Sequence, residues 1–510
     1  MKFDLAPTRF FAAAQAPRRA PVRWALAAAL VLGSELAVAH SFGTPYNLPV
    51  PFWMYAYGAT AALVLSFVVV AYFSSVPAAV VFVRAGAPQR TREAGTLHGG
   101  LLFLLRLVSL FALILAIVAG FVGSRNVFTN INMTLFWIVF ALGFYYLVAL
   151  VGDVYAAVNP WQSLVACVER FFPTAFAPRV KYPERFGYYP ALLLYLAYIW
   201  IELFAHTQPR SLSVLLLVYT CVNLVGAAVV GKRAWFTYWE FLAVLFRLAG
   251  MLAPIEYVTN EERAAYRVRL RFPFVGLLQR PAGHLSLLLF VLFTLSSTAF
   301  DGIHETLVWV GLFWKGIYPL LDAAWHQPYL VFVRYYYYWQ WLMLLVSPIV
   351  YLAVYAFFVW LAKLTAGSSI PLRTLLLNFA FSLVPIAFVY NVTHYYTLIA
   401  SQGTQMLRMI SDPFGLNWDL FGTARSMGTA IVLDAGTVWH TQVALILVGH
   451  IVGVYLAHAE AVRVFVDTRR AALSQLPMLL LMVLFTTLGL WILSLPIAAG
   501  QVVQPATTGG

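Results

Sequence analysis

The chain has 510 residues, of which 62% are hydrophobic and 10% charged, and its mean hydropathy is +0.82. A soluble domain of this length cannot hide so much apolar surface. The formal net charge of +13 does not point to nucleic acid, because the basic residues fall between the apolar runs, where membrane orientation accounts for them.

In chain order, residues 1–39 read as a targeting segment. Arg18, Arg19 and Arg23 form a basic n-region, WALAAALVLGSELAVA an apolar stretch, and Ala37-Val38-Ala39 an A-x-A cleavage site. Cleavage leaves His40 as the mature N-terminus; the alternative is a retained signal anchor. Residues 40–510 then read as one membrane domain. Long apolar runs such as PALLLYLAYIWIELFA, HLSLLLFVLFTLSSTAF and MLLLMVLFTTLGLWILSLPIAA are each near the ~20 residues that cross a bilayer. Lipid cannot satisfy a bare backbone, so such runs are helices, and their continuity excludes the alternation of a β-barrel. Spans are expected near 53–73, 99–123, 133–152, 187–205, 211–230, 283–300, 337–362, 374–400, 438–460 and 476–497. The fold class is therefore an all-α polytopic bundle of about ten helices after the N-terminal segment. The segments 154–172 and 235–252, apolar but broken by charge, are expected to lie in the membrane interface. Two long segments, 301–336 and 401–437, are expected as outer loops. No short internal repeat is apparent.

Orientation follows from the basic residues. With residue 40 outside and alternating spans, the cytoplasmic loops hold 20 Lys and Arg and the outer loops 6. That bias predicts a bacterial inner-membrane protein with both mature termini facing the periplasm. Cys167 and Cys221 fall in a cytoplasmic loop and a span, which implies no disulfide framework.

This topology gathers imidazoles and carboxylates at the outer face, as a divalent metal site requires. His40, His304, His394 and His440 are the candidate ligands, and copper or zinc the candidate metal. In Asp301-Gly302-Ile303-His304-Glu305, the three-residue spacing puts Asp301 and His304 on one helix face. Asp301 could ligate or orient a ligand, and Glu305 act as base; a solvated helix end explains the same residues. A mature His40 could chelate through its amine and ring together. His440 and His458 are five turns apart and cannot share a metal. His450 could ligate haem, although a polar contact between helices suffices. Asn159-Pro160-Trp161 reads as a capped turn, and Tyr335 to Tyr338 as an interfacial aromatic belt. No Walker A, Rossmann, G-x-S-x-G or H-E-x-x-H motif occurs.

Several segments carry a resemblance to a family: AHSFGTPYNLPVPFWMYAYGATAALVLSF, GDVYAAVNPW, TLSSTAFDGIHET and WHTQVALILVGHIVGVYLAHAEAV. From residue 39 onward the chain resembles bacterial membrane proteins of the fenitrothion hydrolase family, the large membrane subunit of a heteromeric organophosphorus hydrolase. The resemblance implies hydrolysis of an apolar aryl phosphotriester, a second protein subunit and contact with lipid. It implies no catalytic residues. Two further classes stand beside a metal-dependent hydrolase: a transporter or copper- or zinc-handling membrane protein, and a non-catalytic subunit of a larger complex. Charges deep in the spans look scarce, which weighs against an ion relay.

Overall fold

The computed structural model describes residues 50–73, 92–97, 99–260, 265–326, 328–425, 431–465 and 467–495. The segment 1–39, its cleavage site and His40 lie outside the described residues. Among the described residues, ten helices are long and apolar enough to cross a membrane, so the chain is a multi-pass helical membrane protein. The helices used below are α1 (Phe52–Phe73), α2 (Gly99–Val122), α3 (Ile131–Val151), α4 (Pro160–Phe171), α5 (Tyr189–Phe204), α6 (Pro209–Val230) and α7 (Phe241–Gly250). They continue with α8 (Leu285–His304), α9 (Leu307–Trp325), α10 (Tyr329–Thr365), α11 (Val384–Ser401), α12 (Ala435–Val464) and α13 (Thr468–Ser494).

Nine of these ten candidate crossings coincide with expected spans. The expected span at 187–205 is α5, whose 16 residues reach only ~24 Å. It nevertheless accompanies α8 along its length. At one end the Tyr188 amide donates to Ser286 Oγ, and at the other the Phe204 ring meets Phe300 and His304. The remaining apolar helix, α9, falls within the expected outer loop 301–336. It folds back on α10, with Trp314 against Tyr329 and Tyr336 and Phe313 against Trp339. Helix α10 has 37 residues, ~55 Å, so it outruns the ~30 Å of hydrocarbon. Its N-terminal turns, with α9, make a helical hairpin beyond the C-terminal end of α8.

The two segments expected in the interface are instead inside the bundle. Tyr155, Trp161, Phe241 and Phe246 are each at most 3% exposed. Both segments are built alike. Each follows a span through a glycine at positive φ, Gly152 at 93° and Gly231 at 85°, a conformation that costs glycine nothing. Each then starts a helix whose cap accepts two backbone N–H bonds. Asn159 caps α4 through Trp161 and Gln162, and Glu240 caps α7 through Leu242 and Ala243. The caps meet, Asn159 Nδ2 donating to Glu240 Oε2 at 3.3 Å. At the far end of the first arm, Glu169 pairs with Lys232 at 2.7 Å. These two arms touch at their caps, Asn159 and Glu240. Glu169, Arg170, Lys232 and Arg233 lie at the opposite ends, which is why the segments resemble surface helices in sequence.

The expected cytoplasmic loops also contain strands: β1 (Arg92–Leu97), β2 (Ile255–Asn260) and β3 (Ala265–Leu270), antiparallel in the order β1-β3-β2. Arg271, just past β3, pairs with Glu256 at 3.3 Å and donates to the Gly250 carbonyl at 2.8 Å. This fastens the sheet to the second arm.

Candidate functional site

Helix α8 is the most enclosed of the crossing helices, and its side chains from Ser286 to Thr298 are almost all buried. An apolar helix in that position has little reason to carry polar side chains, yet Thr294, Ser297, Thr298 and Asp301 recur at i, i+3, i+4 and i+7. That spacing lines them along one face. Asp301 is 5% exposed, and an ionisable group held at this depth needs partners. Helix α11 supplies them. His394 Nε2 lies 2.7 Å from Asp301 Oδ2, and the Tyr395 hydroxyl donates to the same oxygen at 2.5 Å. With its Nε2 proton held by the carboxylate, the His394 ring keeps its lone pair on Nδ1.

The two other members of the D-x-x-H-E segment sit beside this pair. His304 Nδ1 donates to the Asp301 carbonyl at 2.9 Å, so its lone pair is on Nε2, 3.9 Å from Glu305 Oε1. The His304 ring stacks on Phe300. A carbonyl fixing one ring nitrogen so that the other is presented is the usual preparation of a histidine ligand. Glu305 has a side chain 38% exposed and forms the solvent edge of the group.

Asp301, His304, Glu305 and His394 are thus brought together. His440 is not: on α12 its Nδ1 donates to the Gly436 carbonyl, and its Nε2 faces the Tyr55 hydroxyl of α1 at 3.5 Å. The reason is the face it occupies: α12 meets α11 through Val438 and Gln442, at Tyr396 and Thr393, while His440 is turned to α1. Among the described residues no group of three or more His, Cys, Asp or Glu side chains is set to hold a metal ion. Asp301 is instead engaged by Tyr395 at 2.5 Å and by His394 at 2.7 Å. His450 is fully buried, with Nδ1 on the Ile446 carbonyl and its ring edge-on to Tyr390. His458 pairs with Gln475 at 3.0 Å.

Three contributors escape a sequence reading. Tyr395 follows His394 directly. Glu202 lies in PALLLYLAYIWIELFA, a run whose apolar weight hides its single carboxylate; it is in hydrogen-bonding range of the Tyr395 hydroxyl and close enough to Asp301 to repel it. Asn391, one turn before His394 and Tyr395 on α11, has an Oδ1 that is buried without a hydrogen-bond partner. Glu202, Asp301, Tyr395 and Asn391 border one cavity of about 30 Å³, walled also by the polar stripe of α8 and by Leu142 and Tyr145. Helix α3 is π-helical over Thr134–Phe144 just there, a widened geometry common beside functional sites.

Compared with known proteins, the chain matches no family model, no curated protein and no solved structure.

Proposed function

We propose that the chain is a membrane-embedded hydrolase whose acid–base centre is the Asp301–His394 pair, acting on an apolar phosphotriester that arrives from the outer side. The observation that carries this reading is the 2.7 Å contact between His394 Nε2 and a buried carboxylate. A carboxylate in that position fixes the tautomer of the imidazole and stabilises the imidazolium that forms when it takes a proton. His394 would remove a proton from water as the water oxygen bonds to phosphorus. The P–O bond to the aryl group breaks, and the departing aryl oxide takes the proton back. The ~30 Å³ cavity is far below the few hundred Å³ of an ordinary ligand pocket. The ester therefore binds on the outer side of the pair, where Glu305 is exposed. If zinc or copper takes part, His304 Nε2 and Glu305 are the pair oriented to hold it, and the ion would polarise the phosphoryl oxygen. The resemblance to the fenitrothion hydrolase family supports the substrate class, the need for a second subunit and a bacterial inner-membrane location with the site on the periplasmic face.

The test uses the full-length chain, purified in detergent, and a chromogenic nitrophenyl phosphotriester, with and without a chelator. His394→Ala and Asp301→Asn should each lower turnover by at least ~100-fold, the usual range for losing a general base. Wild-type turnover surviving in His394→Ala would sink the reading.

A second reading, cation-coupled transport, is favoured by one observation. Glu202 and Asp301 are two carboxylates facing one tyrosine hydroxyl inside a membrane bundle, and intramembrane carboxylates commonly mark ion paths. Transport of a solute in proteoliposomes without turnover of any ester would favour it.

A further inference from the structure

We propose that the cavity beside Asp301 binds one sodium ion. The hydroxyl protons on its α8 wall are already committed. The Thr294 hydroxyl donates to the Phe290 carbonyl at 3.0 Å, Ser297 to the Thr294 carbonyl at 3.3 Å, and Thr298 to the same carbonyl at 3.2 Å. Each hydroxyl has one proton, and each spends it on its own helix. What these three groups turn to the cavity is lone pairs.

The opposite wall adds the same chemistry. Asn391 Oδ1 borders the cavity, is buried, and has no donor. A buried acceptor without a donor costs roughly 1–3 kcal/mol, so it wants a positive partner. Glu202 and Asp301 contribute carboxylates, and the single Tyr395 proton between them is committed to Asp301. The remaining polar neighbours are tyrosine hydroxyls, which can turn a lone pair inward. The lining carries two carboxylates, Glu202 and Asp301, and no basic side chain. The result is a cavity of about 30 Å³ with one wall of oxygen acceptors, room for one water-sized guest. Neutral water would satisfy Asn391 but would bring the two carboxylates no positive partner. An anion is excluded by charge. The lining lacks both sulfur and imidazole, so a soft transition metal is disfavoured. A small hard monovalent cation fits both the oxygen donors and the charge.

The inference shares Asp301 with the proposed hydrolytic centre but does not rest on hydrolysis. In a hydrolase the ion would hold Asp301 ionised beside His394; in a transporter it would be the coupling ion.

The experiment measures the ion directly. Full-length protein in detergent is assayed for equilibrium binding of radioactive sodium, with choline as the inert counter-salt. One ion per chain is expected, displaced by lithium and unaffected by choline. Thermal unfolding, followed by tryptophan fluorescence at constant ionic strength, should shift upward by several degrees between about 1 and 200 mM sodium, as linkage requires. Asn391→Leu and the double variant Ser297→Ala/Thr298→Val should weaken sodium binding at least tenfold, while the wild-type assay guards against variants that fail to fold. Background sodium counts, or equal unfolding midpoints in sodium and choline, overturn the proposal. So does a midpoint that responds to pH but not to sodium, which would make the guest a proton. Retained sodium binding in a protein without esterase activity would refute the hydrolase and leave the ion site standing.

Discussion

Two of the bundle's buried carboxylates, Glu240 and Asp301, stand in opposite situations. Glu240, at the cap of the second arm, is 0% exposed and saturated with donors. It accepts from the Leu242 and Ala243 amides, from Tyr219 at 2.5 Å, from Asn159 at 3.3 Å and from Tyr155 at 3.5 Å. It also faces the N-termini of α4 and α7, whose dipoles favour negative charge. Asp301 accepts from Tyr395 at 2.5 Å and faces His394 at 2.7 Å, with a second carboxylate nearby and a cavity at its side. A carboxylate with every lone pair occupied is a structural rivet. One that borders an unfilled polar space has capacity left for chemistry. Burial alone does not separate the two; the donor inventory does.

The comparison can be broken most directly at Asp301. Asp301→Asn should abolish turnover while leaving a folded, extractable protein, measured by activity and by size-exclusion profile in parallel. Collapse of the fold would place Asp301 with Glu240 as a structural group. Next in size is Glu240→Ala, which strands two amides, Tyr219 and Asn159. Removing one side of a buried charged network costs about 3–5 kcal/mol, so the unfolding midpoint should fall sharply, whereas Glu240→Gln should recover much of the loss. A Glu240→Ala protein of wild-type stability would contradict the rivet.

A smaller effect is expected where the second arm docks on α6. A Cβ at Gly226 would sit 2.1 Å from the Trp235 ring, and Trp235 Nε1 donates to Asn223 Oδ1 at 2.8 Å. Gly226→Ala should cost about 1–3 kcal/mol by overpacking, read as a lower midpoint with the sodium response intact. The mildest prediction concerns Asp434, the exposed cap of α12. Hydrogen bonds from the Thr437 side chain and amide hold its carboxyl below the ordinary range. A lowered folded value means stability is gained above the unfolded value and lost as pH falls through the folded one. Asp434→Ala should therefore melt slightly earlier than wild type at neutral pH, and the gap should close in strong acid. A gap that widens in acid would reverse the sign.

The multi-pass fold was legible because lipid leaves the backbone one solution, and hydropathy reports it directly. Asp301, His304, Glu305 and His394 were legible because polar residues at the ends of apolar runs are conspicuous. Glu202 was not, since one carboxylate barely alters the hydropathy of a sixteen-residue run. Asn391 and Tyr395 were not, because an amide and a phenol are ordinary in membrane helices and only their placement around a cavity sets them apart. The two arms were misleading for a physical reason: apolar helices with charged ends look alike whether they lie on a membrane or pack inside a bundle. His440 shared the predicted depth but not the azimuth, which loop-and-span topology does not encode.

Helix α10 carries a consequence of its own. Pro348 lies inside it and cannot donate to the Leu344 carbonyl, a break in the ladder that bends or loosens a helix. Ser347 repairs the break by donating to that carbonyl at 2.9 Å, and its Oγ also meets Ser296 Oγ at 2.9 Å. The break in the ladder of the long helix is therefore tied, through one pair of hydroxyls, to α8 one residue before Ser297 in the cavity wall.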